Sequence, residues 1–230
     1  MPTPTHNHLD NGTLTYSQSR VARPSAWYRS IRAVIRLLFF LLADYKVSGQ
    51  EHVPEAGPMI IAINHMSAVD LPAVMLAIPH QATAFAASKY QGGLRGLILR
   101  SVHVIFVRRG TPDRKALRQA LEVLQNGGVL GLAPEGTRSP TKTLIRARPG
   151  AAFLAVRSGA TVLPIGLTGT ETVLRSWRHL HRPKIRVVIG EPYKLEASGN
   201  GRRDFQALSD EIMLSIADLL PEEYRGEYAD

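Results

Sequence analysis

The run Met59-Ile60-Ile61-Ala62-Ile63 constrains this chain more than any other feature. Five apolar residues in succession, with no polar alternation, fit a strand covered on both faces rather than one with a wet side. Apolar runs at 82–87, 102–107, 129–133, 161–168 and 185–189 repeat the pattern, and helical segments fill the gaps. Thr111-Pro112-Asp113 reads as a helix start, Leu117, Ala120, Leu121 and Leu124 as its buried stripe, and Gly127 as its stop. A last helix over 204–220 carries Phe205, Leu208, Ile212, Ile216 and Leu219 ahead of Pro221. Pro164, inside its apolar run, predicts an edge, a bulge or a kink. The alternation predicts an α/β fold: a single domain with a mostly parallel central sheet flanked by helices.

Ahead of that domain, residues 1–25 are polar and turn-rich, without the apolar core of a secretory signal, and read as a disordered tail. Over 26–44, Trp27, Ile31, Val34, Ile35, Leu38 and Leu42 recur at helical spacing, with Arg29, Arg32 and Arg36 clustered roughly opposite them. Leu37 to Ala43 is apolar on every side, yet the run falls short of the ~20 residues that span a bilayer. A basic amphipathic helix at the membrane interface is predicted, followed by a folded domain over 45–221 and a tail over 222–230. A core helix with its arginines in water fits the same pattern.

Lys and Arg outnumber Asp and Glu by 28 to 19, a net charge of +9 that favours an anionic partner. Nucleic acid is the weaker candidate, because aromatic residues are only 7% and are not interleaved with the basic ones, and no zinc-finger or P-loop spacing occurs. The absence of cysteine excludes a disulfide framework, thiolate-bound zinc and a cysteine nucleophile. With no His-Glu-x-x-His motif or clustered carboxylates, no metal is expected.

In parallel sheets, functional groups gather where strands end. After the first apolar run comes Asn64-His65-Met66-Ser67-Ala68-Val69-Asp70. Within one helix His65 and Asp70 would point about 140° apart, so contact between them requires a turn before the helix settles. Given that turn, Asp70 can orient His65 as a general base. The pair alone fits a helix-capping Asp beside an unrelated histidine equally well. Val104-Ile105-Phe106-Val107-Arg108-Arg109 ends in two arginines that point to opposite faces, one of which can grip a phosphate. Pro134-Glu135-Gly136-Thr137-Arg138 adds a second arginine, a glycine that lets backbone approach a ligand, and a carboxylate able to hold an arginine in place. Arg146 and Arg148 read as solvated loop charges, with an extension of the basic surface toward an anionic head group or a nucleotide-bearing donor as the alternative.

Together the Asn-His-x4-Asp run, the Phe-aliphatic-x-Arg strand end, Glu-Gly-Thr-Arg and the later proline strand resemble the glycerolipid acyltransferase family of the lysophosphatidic acid acyltransferase type, over roughly residues 45–195. The resemblance implies that His65 and Asp70 form the catalytic dyad, while Arg109, Glu135, Gly136, Thr137 and Arg138 shape the lysolipid phosphate site. The acceptor would be lysophosphatidic acid, the product phosphatidic acid, and the co-substrate acyl-CoA or acyl-ACP, with no cofactor. The partners implied are a phospholipid membrane surface and a lysophospholipid, with no nucleic acid, and the place is the cytoplasmic, inner face of the cell membrane. One departure stands out: the family usually has glycine three residues before the phenylalanine, where this chain has His103, which predicts a change in local backbone or pocket.

Acyl transfer would then be direct, since no Gly-x-Ser-x-Gly elbow marks a serine nucleophile and Ser67 shows no sign of activation. Backbone amides after His65 or near Gly136 are the oxyanion candidates. Three other readings compete: transfer to another lysophospholipid or glycolipid, hydrolysis by the same base, and a non-catalytic membrane-binding protein.

Overall fold

The computed structural model describes residues 24–108, 113–196 and 204–229. At its centre lies a sheet of eight strands among the described residues: β1 (Asp44–Ser48), β2 (Met59–Ile63), β3 (Ala82–Ala87), β4 (Val104–Val107), β5 (Val129–Leu132), β6 (Thr161–Thr168), β7 (Lys184–Ile189) and β8 (Tyr193–Lys194). The spatial order is β1-β7-β6-β2-β5-β3-β4, with β8 also against β6. From β6 to β4 neighbouring strands are parallel, whereas β7 and β8 run antiparallel to β6, and β1 is parallel to β7.

Helices cover both faces, which explains the unbroken apolar run of β2. Successive side chains of a strand point to opposite sides, so Ile60 and Ala62 join one core with α4 (Arg114–Gln125), α5 (Gly150–Ser158) and α7 (Phe205–Ala217). Met59, Ile61 and Ile63 join the other, against α2 (Asp70–Ala77). All five β2 residues are buried. The predicted proline irregularity in β6 is a gap in pairing: β8 pairs with 161–162 and β7 with 165–168. Between them the Pro164 carbonyl accepts a hydrogen bond from Gly190 N, and no ladder partner is left wanting the missing N–H.

Helix α4 starts where Asp113 caps it, one carboxylate oxygen accepting from Ala116 N at 3.1 Å and the other from Arg108 N at 3.0 Å. Such a cap contributes about 1 kcal/mol, and here it also ties the helix to the end of β4. α3 (Gly93–Ser101) precedes β4, and α6 (Val173–Arg178) follows β6.

The N-terminal helix α1 (Ala26–Leu42) forms as predicted, begun by Ser25, whose hydroxyl accepts from Tyr28 N, but its facing differs. Tyr28 is buried, and Ile31, Arg32, Ile35 and Phe39 are half-buried beside it, with an Arg32 Nη2 hydrogen bond to Leu76 O at 3.1 Å. Arg32 thus turns inward to satisfy a carbonyl near the end of α2, while Trp27, Val34, Leu37, Leu38, Leu41 and Leu42 remain exposed. No helix among the described residues is long and apolar enough to cross a membrane.

One boundary needs correction. Residues 1–23 lie outside the described residues. Residues 222–229, expected as a tail, instead form α8 (Glu222–Arg225) and a 3-10 turn folded onto the loop after β5. Leu144 N donates to Tyr224 O, Glu227 N to Leu144 O, and Ala147 N to the Tyr228 hydroxyl. Backbone groups that would otherwise need water find partners there, and the periodicity of so short a segment carries no sign of it.

Candidate active site

The strand order diverges on either side of β2, toward β6 one way and β5 the other, and the turn leaving β2 opens into that crevice. Asn64 fixes the turn's start: its Nδ2 donates to Leu167 O at 2.8 Å, and its Oδ1 accepts from Leu167 N at 2.7 Å. The turn then carries His65 back to Asp70, the first residue of α2. His65 Nδ1 lies 2.7 Å from Asp70 Oδ2. A carboxylate only accepts, so Nδ1 carries the proton and the lone pair of Nε2 is left to act as base.

Asp70 is 1% exposed. Its Oδ2 also takes Met66 N and Ser67 N, each at 2.8 Å, and its Oδ1 takes the Thr170 hydroxyl. Thr170 reaches it through Gly169, at φ 82°, where a Cβ would collide with Lys184 O. Sequence reading missed Thr170; a glycine ending a buried strand was its one signal.

These bonds also occupy three of the expected oxyanion donors. Met66 N and Ser67 N are engaged by Asp70, and Gly136 N donates to Ala133 O. Ser67 Oγ accepts from Val69 N at 3.2 Å, a turn bond that serves no nucleophile.

Glu135 takes a different part from the phosphate-site role expected of it. It is buried, and its oxygens accept from His65 N at 2.9 Å and from Ile145 N at 3.4 Å. Burial pushes its pKa up to about 7, against the opposing pull of those two amides. Glu135 therefore braces the turn that carries His65. Ser139 N, bonded to His65 O at 2.8 Å, braces it from the same loop.

His65 is part-exposed and stands at a cleft of about 710 Å³ with mostly apolar walls, among them Phe85, Val107, Leu132, Phe153 and Phe205. Arg108 and Arg148 also line it. Of the two adjacent arginines ending β4, Arg108 is the one seen at the cleft; Arg109 lies outside the described residues. Arg148, read from sequence as a solvated charge, crosses Gly136: a Cβ there would meet Arg148 Cδ at 2.8 Å, and the glycine's φ of 68° is a second reason for its lack of a side chain. Thr137 is half-buried in the same loop.

Arg138 is not in the cleft wall. It approaches the half-buried Tyr90, whose hydroxyl is pulled below its usual pKa first by Lys89 and then by Arg138. Arg138 Nε is buried without a partner. Two cations and a hydroxyl thus gather beside the His65 turn, a grouping suited to an anion. Lys89 was missed in sequence because only the 3-10 turn after β3 (Ser88–Tyr90) brings it there.

His103 adopts φ 57°, the left-handed region natural to glycine. The backbone expected of a glycine is therefore kept, and only the side chain is new, its Nδ1 lying 2.6 Å from Gln81 Nε2.

A model of the Acyltransferase family matches residues 44–168. The 1-acyl-sn-glycerol-3-phosphate acyltransferase of Bacillus subtilis is 25% identical over 167 residues, covering 72% of this chain and 81% of that protein. The enzyme of the same name from Borreliella burgdorferi is 30% identical over 148 residues, covering 61% of this chain and 58% of that protein. The crystal structure of the 1-acyl-sn-glycerophosphate acyltransferase from Thermotoga maritima is similar, with a TM-score of 0.68 and 25% identity over 84% of this chain and 79% of that one.

Proposed function

Since the chain belongs to the acyltransferase family, we propose that it moves a fatty acyl group from a thioester, acyl-CoA or acyl-ACP, to the free hydroxyl of lysophosphatidic acid, giving phosphatidic acid. One observation carries the reading: His65, held through Nδ1 by a buried carboxylate, stands at a mostly apolar cleft beside a cluster of cations. An alcohol is a poor nucleophile at its own pKa, so Nε2 takes its proton as the oxygen attacks the thioester carbonyl. The tetrahedral intermediate collapses by breaking the C–S bond, and the imidazolium returns the proton to the departing thiolate. No acyl-enzyme forms and no metal is required.

The cleft's volume is in the range of small-ligand sites, and its apolar walls suit an acyl chain. Lys89 and Arg138 hold the acceptor's phosphate, and Arg108 and Arg148 meet anionic groups at the cleft. The substrates point to the cytoplasmic face of the cell membrane, where α1 lies in the lipid interface. Its exposed Val34, Leu37, Leu38 and Phe40, alongside Arg29 and Arg36, support that placement.

The test is mass spectrometry of products from purified protein supplied with defined acyl thioesters and a panel of lysolipids. Diacyl phosphomonoester is the expected product. Equal turnover of acceptors with and without a phosphomonoester overturns the phosphate assignment, and free fatty acid released without dependence on acceptor makes the protein a hydrolase.

A further inference from the structure

Leu174, Trp177 and Leu180, on α6 and the turn after it, are 72%, 40% and 95% exposed. Leu180 holds φ 56°, a conformation costly for a residue with a side chain, so the chain accepts strain at a fully exposed leucine. Arg175 and Arg178 are exposed between them. The projection is fixed in place: Trp177 Nε1 donates to Leu42 O at 2.9 Å, and Arg182 Nη2 donates to Phe40 O at 2.7 Å and to Ala43 O at 2.6 Å. These bonds join it to the end of α1 where Phe40 is 74% exposed, making one surface of apolar tips and guanidinium groups.

We propose that residues 174–182 are a second lipid-contacting wedge, which enters the interface of an anionic phospholipid bilayer beside α1. The proposal rests on the membrane placement given under Proposed function. Charge selects the occupant: arginines among apolar tips match headgroup phosphates above acyl chains, whereas a second copy of a chain of net charge +9 would set arginine against arginine. The location gives the wedge a use. Thr170 bonds to Asp70, and Val173, where α6 begins, is three residues on and hence within roughly 11 Å of it. A docked wedge therefore brings the dyad close to the surface from which a lysolipid would come.

The chain has two tryptophans, so Trp27→Phe leaves Trp177 as the sole reporter. On adding vesicles of phosphatidylglycerol and phosphatidylcholine, the expected result is a blue shift of Trp177 emission and quenching by lipids brominated near the headgroup. Leu174→Ser combined with Leu180→Ser should weaken partition into these vesicles roughly tenfold or more, with an unchanged melting temperature. Turnover of a short-chain lysolipid below its aggregation concentration should also be unchanged. Emission that stays put while the protein binds, a double variant that binds like the wild type, or no vesicle binding at all overturns the proposal. So does a wild-type dimer that the double variant dissolves, because a second copy would then be the occupant. Vesicle binding as expected but no acyl transfer even to the soluble acceptor would instead sink the acyltransferase reading and leave the wedge standing.

Discussion

The turns after β2 and β5 leave adjacent parallel strands, and each presents a buried carboxyl group in a different electrostatic setting. Asp70 receives an imidazole N–H, two amides and a hydroxyl. Glu135 receives one short amide bond and one long one, and burial pushes its pKa up to about 7. For Glu135, burial outweighs the two amides aimed at it. The better-supplied acid orients a base, and the poorly supplied one braces that base's backbone.

Removing the imidazole breaks the contrast most severely. His65→Ala should cut acyl transfer by about 10²–10⁴-fold without loss of fold, measured as initial rate against circular dichroism; near-wild-type turnover would remove the base from the mechanism. Asp70→Asn keeps the volume but offers an amide where donors converge. Its kcat should fall by up to about 10⁴-fold by loss of the oriented tautomer, with about 1–3 kcal/mol of stability lost. Arg138→Ala should lower kcat/KM for a phosphate-bearing acceptor about tenfold to a hundredfold, the worth of a hydrogen bond to a charged group. An acceptor without phosphate should be unaffected, and a uniform loss across both acceptors would make Arg138 structural.

A change in stability rather than in rate isolates Glu135. Its folded-state pKa is raised from 4.5 to about 7, so between those values the folded chain holds a proton that the unfolded chain has released. The associated stability is fully present below pH 4.5 and is lost as the pH rises to about 7, some 3 kcal/mol in order of magnitude. Glu135→Gln lacks this dependence. Denaturant titrations of both proteins from pH 4.5 to 8 should diverge with that sign, and parallel curves would show that Glu135 does not titrate there.

What could be read from sequence followed how locally each feature is determined. β2, β3 and β6 have the predicted bounds, and β2 and β6, buried on both faces, leave the longest apolar runs. β1, Asp-Tyr-Lys-Val-Ser at a sheet edge, leaves none. His65 and Asp70 are five residues apart, and one turn joins them. Thr170 reaches Asp70 from 100 residues away, and no spacing encodes that. Glu135 bonds to the His65 and Ile145 amides rather than to a neighbouring arginine, and a carboxylate beside an arginine in sequence says nothing of which way the turn aims it. Arg32 was placed with the outward arginines because periodicity defines faces but not which one a neighbour covers, and here a carbonyl of α2 decides.

The docking of residues 224–228 onto the loop after β5 has a consequence for the order of events during synthesis. That loop carries Ile145, which bonds to Glu135, and is itself pinned by Tyr224, Glu227 and Tyr228. A ribosome adding about 5–20 residues per second needs roughly 10–30 s to travel from the His65 turn to that clasp. The nascent polypeptide thus carries the His65 turn well before the residues that lock the loop around it have been made.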